Sequence, residues 1–244
     1  MIQKLGKISF IITTLIVLVL GTAQWMRGKN AFSLKRIKIQ GTRVLNDTRL
    51  LHQANIEYNK DIFDIELAQI EHRLKSNQMI KEINVKRQIP STIKIEVTER
   101  ELVAVIFIES RMHGVDGDGV IISQIDRYAL YDLPVLSGVK LNDVMHIEKG
   151  YSSELQQIAP HLKRLKKMDP LMYHRISEIN YRPNLGFTIY LRNDSVPVLL
   201  GLENADQKLN RLAFAYPRIE EDFAWSNVEH IDLRFDSQVI VKGK

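Results

Sequence analysis

At 244 residues, with 45% hydrophobic and 26% charged residues, the chain has the composition of a folded protein with room for two modest domains, which excludes wholesale disorder. It contains no cysteine, which excludes disulfides and cysteine-ligated metal centres. The net charge of +5 is uneven, because residues 1–46 carry eight Lys/Arg and no acid, so the remainder is slightly acidic and does not look like a nucleic-acid-binding domain.

Residues 8–26 hold no charged side chain. At about 1.5 Å per residue this stretch spans roughly 28 Å as a helix, close to the hydrocarbon thickness of a bilayer. Lys4 and Lys7 flank it, and Trp25 stands where an interfacial aromatic would. It reads as a transmembrane helix after a short cytoplasmic tail, residues 1–7. A cleaved signal peptide is the rival reading, with Gly21-Thr22-Ala23 as its cleavage site. Orientation is contested within the sequence. Arg27, Lys29, Lys35, Arg36, Lys38 and Arg43 follow the apolar stretch, and a plain count of positive charges would hold the large domain in the cytoplasm. Lys35 to Arg43 belong to a predicted folded strand, however, and folded domains cross largely regardless of charge.

Residues 33–101 are expected to form a first domain. Leu34 to Gln40 is a strand with Ile37 and Ile39 inward, ended by Gly41. Asn46-Asp47-Thr48 supplies N-cap chemistry for a helix to about Ala54. Asp61 or Asp64 is expected to cap a second helix, with Phe63, Leu67, Ile70 and Leu74 on one face. A β-hairpin follows: Ile83, Val85 and Ile89 alternate with Asn84, Lys86 and Gln88, Pro90-Ser91 turns the chain, and Ile93, Ile95 and Val97 alternate again. The predicted order is β-α-α-β-β.

Residues 102–244 are expected to form a second domain. Ala104 to Glu109 is a strand, and the Gly-rich run from Gly114 to Val120 reads as a turn between strands. Asp116 and Asp118 lack the further ligands of a calcium loop. Leu155, Ile158, Leu162 and Leu165 outline a helix, with a kink or a fresh start expected at Pro160. Strands follow at 176–181, 186–191 and 196–200, then a helix from Asn204 to Tyr216. The C-terminal segment reads as one strand with Ile231, Leu233, Phe235, Val239 and Val241 on one face. The seven histidines show no metal spacing, and no nucleophile elbow, phosphate loop or dinucleotide fingerprint is present. No catalytic residue, metal, cofactor or small-molecule substrate is expected.

Lys86-Arg87, Pro90, the alternating 93–97 strand, Glu99-Arg100 and the apolar run 102–106, directly after one predicted membrane span, resemble the POTRA domain of the FtsQ/DivIB family, with Ile89 where a Trp is frequent. Leu133-Pro134-Val135-Leu136-Ser137-Gly138, Pro197 to Gly201 and Asp232-Leu233-Arg234-Phe235 resemble later family motifs in the same order. The resemblance implies an α+β protein: a single N-terminal transmembrane helix, a POTRA domain, then a mixed α/β domain with an extended, largely antiparallel sheet. It further implies a non-enzymatic scaffold of bacterial cell division in the inner membrane at the septum, with its bulk outside the cytoplasm. Its partners would be the coiled-coil proteins FtsB and FtsL and other divisome membrane proteins, and it would help recruit septal peptidoglycan synthesis. Alternatives are a POTRA-bearing component of translocation or secretion, or a secreted wall-associated protein. By the resemblance, FtsB docks just after Asp232-Leu233-Arg234-Phe235, which nominates Phe235, Ser237, Gln238, Val239 and Val241. Arg234 and Arg182 are candidates for charge contacts to an acidic partner segment.

Overall fold

A computed structural model describes residues 12–18, 21, 31–123, 125, 130, 132–140, 152–192, 196–235 and 237–244. Residues 12–18 are helical, and Ile12, Leu15, Ile16, Val17 and Leu18 expose their side chains. The rest of the predicted 8–26 span, Gly21 apart, lies outside the described residues. Among the described residues no helix is long and apolar enough to cross a membrane. The chain divides into two compact units, residues 1–99 and 100–244.

In the first unit β1 (Arg36–Gln40) is followed by α1 (Asp47–Ala54), α2 (Leu67–Lys75), β2 (Ile80–Gln88) and β3 (Thr92–Glu99). The sheet order is β1-β3-β2. β1 runs parallel to β3, with Ile37 beside Ile93 and Ile39 beside Ile95. β2 and β3 form the antiparallel hairpin, with Val85 opposite Ile95. Leu50, Ala54, Ile70 and Leu74 from the helices meet Val85, Ile93, Ile95 and Val97 in one core. The Asn46 side chain accepts the N–H groups of Thr48 and Arg49 at 2.9 and 3.3 Å, which satisfies two of the unpaired donors that start α1.

Three expectations fail here. Phe63 lies ahead of α2 and is 41% exposed, because the Asp61 carboxylate accepts the Phe63 N–H at 2.9 Å and caps a local turn instead. Neither Asp61 nor Asp64 is the cap of α2. That position falls to Glu66, which makes no side-chain cap bond. Ile89 is 65% exposed in the hairpin turn. Arg87 takes the inward register opposite Ile93, where its guanidinium donates to the carbonyls of Ile62 and Ile65, both at 2.7 Å.

In the second unit β4 (Leu102–Ile108), β5 (Arg111–Asp116), β6 (Ile121–Ile122) and β7 (Val135–Ser137) precede α3 (Ser153–Met168) and α4 (Pro170–His174). Then come β8 (Ile176–Arg182), β9 (Gly186–Leu191), β10 (Pro197–Gly201), α5 (Ala205–Asp222), β11 (Val228–Asp232) and β12 (Ile240–Gly243). The nine strands form one mixed sheet in the order β12-β11-β10-β9-β8-β7-β4-β5-β6. β7 is parallel to both of its neighbours and β10 is parallel to β11, while the other pairings are antiparallel.

Leu155, Ile158, Ala159, Leu162 and Leu165 of α3 and Leu209, Leu212 and Tyr216 of α5 cover this sheet. Both helices run through a proline. Pro160 lies inside α3, which continues to Met168. Pro217 lies inside α5, which extends beyond the predicted end at Tyr216 to Asp222, with Ile219 buried past the proline. Each proline forfeits one helical hydrogen bond, and the buried residues on either side hold the helix to the sheet. Asp116, almost fully buried, pairs with Arg100 at 2.7 Å and accepts the N–H groups of Asp118 and Val120, which makes this turn a self-satisfied structure.

Candidate docking edge on the terminal hairpin

The predicted single C-terminal strand is two strands. β11 and β12 pair antiparallel, with Asp232 opposite Ile240, Ile231 opposite Val241 and His230 opposite Lys242. Ser237, at φ 60, takes the left-handed conformation that reverses the chain. That conformation is costly for most non-glycine residues and is seen mainly in turns. Asp236-Ser237, two turn-forming residues between apolar runs, is the sequence signal for this reversal.

The candidate residues therefore divide. Ile231 and Leu233 are fully buried, as the alternation implies. Phe235 does not join them. It is 53% exposed, because the chain has left β11 before reaching it. Ser237 and Gln238 are exposed in the connection, and Val239 and Val241 rest half-buried against the core. Strand geometry begins at Ile240, so the backbone edge is 240–243 and, of the nominated residues, only Val241 lies on it.

Among the described residues no strand pairs with the outer side of β12. The Lys244 N–H donates to the Asn227 carbonyl at 2.9 Å, inward across the hairpin. Backbone groups alternate along a strand, so Lys242 and Ile240 share that inward sense and the N–H groups of Val241 and Gly243 face away from β11. The opposite margin of the sheet differs, since β6 is two residues long and both Ile121 and Ile122 are buried. A short buried strand is one way of blunting an edge, and β12 lacks that protection.

Among the described residues, three cations fix the hairpin. Arg234 closes on Asp232, with Nη2 2.6 Å and Nε 3.0 Å from the carboxylate and its own N–H 2.9 Å away. The side-chain hydrogen bonds from Arg234 are the main cause that holds the Asp232 carboxyl below the usual carboxylate range. Arg211 on α5, which the sequence did not single out, donates Nη1 to the carbonyls of Phe235 at 3.1 Å and Gln238 at 3.3 Å. Lys242 pairs with Glu229 across the strands at 3.0 Å and lowers that carboxyl's pKa.

Arg182 ends β8 and pairs in register with Gly186 of β9. Gly186 packs on Gly201 of β10, where an added Cβ would lie 2.1 Å from the Gly201 backbone. A Cβ built on Gly201 would in turn meet the Arg234 side chain at 3.4 Å. Arg182 and Arg234 thus occupy the same end of the sheet, three strand spacings or roughly 14 Å apart. Arg182 is exposed, and the Arg234 side chain is 47% exposed although bound to Asp232.

Comparison with known proteins agrees with this architecture. Residues 32–100 match the family model of the POTRA domain, FtsQ-type, and residues 104–234 match that of the cell division protein FtsQ/DivIB, C-terminal. The chain is 26% identical over 222 residues to the cell division protein FtsQ of Geotalea daltonii, covering 91% of this chain and 80% of the relative. FtsQ of Syntrophotalea carbinolica is 27% identical, covering 90% of this chain and 77% of the relative. Cell division protein DivIB of Solibacillus silvestris is 22% identical, covering 82% of this chain and 66% of the relative. With a POTRA unit followed by the C-terminal unit in the same order, this chain belongs to the FtsQ/DivIB family of cell-division proteins.

Proposed function

We propose that the chain is a single-pass, non-enzymatic scaffold of the division septum that recruits its main partner by strand addition along β12. Residues 8–26 span the inner membrane, the N-terminus is cytoplasmic, and both folded units lie outside the cytoplasm. The partner is FtsB, held together with FtsL, and the complex links early division proteins to septal peptidoglycan synthesis. The observation that carries this reading is the outer edge of β12, which ends a nine-stranded sheet with its Val241 and Gly243 N–H groups directed outward. Main-chain hydrogen bonds along such an edge supply affinity, and neighbouring side chains supply selectivity. Phe235 and Ile240, both exposed, offer apolar contacts beside the edge, and Arg182 and Arg234 offer cations at one end of the sheet.

The test uses proline in β12. Val241→Pro removes an outward N–H, and proline is tolerated on an edge strand whose N–H faces solvent. Val241→Thr keeps the N–H and the β-branched shape. The proline variant should lose FtsB binding while the threonine variant keeps it, with both retaining the parent's thermal transition to within a few degrees. Equal FtsB binding by parent and proline variant would sink the edge-docking reading.

A further inference from the structure

Four large apolar side chains of residues 31–99 are exposed: Val44, Tyr58, Phe63 and Ile89. Three of them converge on one end of the first unit. The chain enters there through Phe32, whose carbonyl accepts the Ile62 N–H at 3.0 Å and whose ring meets Phe63 edge-on at 5.4 Å. Leu34 exchanges backbone hydrogen bonds with Asn59 and Lys60, beside Tyr58. Lys35 donates its N–H to Ser91 at 2.9 Å, which brings the Ile89–Pro90 turn to the same end. Val44 lies at the other end, where its N–H donates to Glu99 at the close of β3. Because β1 and β3 are parallel, the chain enters the unit at the Phe63 and Ile89 end and leaves it at the opposite end.

Five residues, and so six Cα-to-Cα steps, separate Met26, the end of the proposed span, from Phe32. Fully extended they reach at most roughly 20 Å. The headgroup region occupies about 5–7 Å beyond each side of the hydrocarbon core. The aromatic and aliphatic tips at this end are therefore tethered within reach of lipid headgroups. The same segments carry exposed Lys35, Arg36 and Lys60 beside Glu57, Asp61 and Asp64, while the Arg87 guanidinium is taken up by loop carbonyls. Tyrosine and phenylalanine at headgroup depth, flanked by lysine and arginine, are the chemistry of an interfacial contact.

We propose that Tyr58, Phe63 and Ile89 form a lipid-contacting face that seats the first unit against the headgroup layer of the bilayer. The proposal rests on the reading that residues 8–26 cross that bilayer. Two short loops thereby give the first unit a fixed stance on the membrane.

The absence of native cysteine permits a direct test on the full chain. Ile16→Cys, Val44→Cys, Tyr58→Cys and Ile89→Cys each receive an environment-sensitive fluorophore. Each purified protein is reconstituted alone into vesicles of zwitterionic and anionic phospholipid, with and without a lipid carrying a nitroxide at headgroup depth. Probes at positions 58 and 89 should be quenched severalfold more than the probe at position 44. If positions 58 and 89 resemble 44 while position 16 is protected from an aqueous quencher, the lipid face is overturned and the membrane span stands. If position 16 is open to the aqueous quencher, the span itself fails and the face falls with it. A blue shift at 58 and 89 that depends on protein density but not on the nitroxide lipid would assign the face to a second copy, and would likewise overturn the proposal.

Discussion

Arg234 folds back onto Asp232, two residues earlier, and binds both carboxylate oxygens through Nε and Nη2 at 2.6 to 3.1 Å. Asp232 is 5% exposed at the end of β11, so its charge is tolerable only while this guanidinium and the Arg234 N–H satisfy it. The pair sits beside the hairpin turn that carries the candidate docking residues. Its loss should therefore register in both stability and binding.

Asp232→Asn keeps the shape but forfeits the charge-assisted contacts, a loss of about 1–3 kcal/mol near neutral pH. The folded carboxyl titrates below its ordinary value of 3.8. Its contribution is thus complete above the unfolded-state pKa and is lost as pH falls through the folded one. The gap in denaturation midpoint between parent and variant should narrow steadily as pH is lowered from about 5 to about 3. A gap that stays constant over that range would show that the ion pair contributes nothing to the acid limb.

Arg211 is the strut under the connection between β11 and β12. Arg211→Ala removes two hydrogen bonds from a partly exposed guanidinium, at a stability cost of about 0.5–1.5 kcal/mol. Amide exchange at 233–240 should speed up, and affinity for the proposed partner FtsB should fall because the edge is no longer held in one conformation. Unchanged exchange at those amides would remove Arg211 from the account of the hairpin.

Ile95 is fully buried at the centre of β3, between β1 and β2. Ile95→Asp places a carboxylate without a partner in the first core, costing several kcal/mol. Hydrogen exchange on the full chain should show protection lost throughout β1, β2 and β3. Retained protection in those strands would mean that the strand face is misassigned.

The Tyr173 hydroxyl donates to the Val103 carbonyl at 2.6 Å, with the ring fully buried. Burial pushes this phenol well above its usual pKa. Tyr173→Phe keeps the ring and orphans a buried carbonyl, at about 1–3 kcal/mol. A guanidinium chloride midpoint indistinguishable from the parent's would contradict this assignment.

Much of the fold was legible where the chain follows local rules. Asn46 announces α1, Gly41 ends β1, and Ile93, Ile95 and Val97 alternate into the core as their spacing implies. The misses share a cause, which is tertiary context overriding local pattern. Ile89 continues an apolar alternation but belongs to a turn, while the charged Arg87 takes the inward register because three loop carbonyls await its guanidinium. Pro217 looks like a stop, yet Ile219 has core to bury beyond it. At the candidate site, the burial of Ile231 and Leu233 and the terminal position of the edge could be read. The reversal at Ser237 is signalled by Asp236-Ser237 only weakly, without a glycine, and the period-two alternation from Ile231 to Val241 hides it. The strut from Arg211 could not be read, since Arg211 lies on a different element.

The short strand β7 has a kinetic consequence. Val105 meets Val135 on one side of it and Ile179 meets Leu136 on the other, so three residues join two antiparallel blocks, β4-β5-β6 and β8-β9-β10. Each block pairs strands that are close in sequence, whereas β7 joins them across longer connections, residues 123–134 on one side and 138–175, which carry α3 and α4, on the other. Little main-chain pairing rewards that step. It depends on side chains instead: Leu136 is buried, the Ser137 hydroxyl donates to Glu178, and the Asn180 amide donates to Ser137 at 2.8 Å. Closure at β7 should therefore limit the refolding rate of the second unit, and Leu136→Ala should slow refolding rather than merely hasten unfolding.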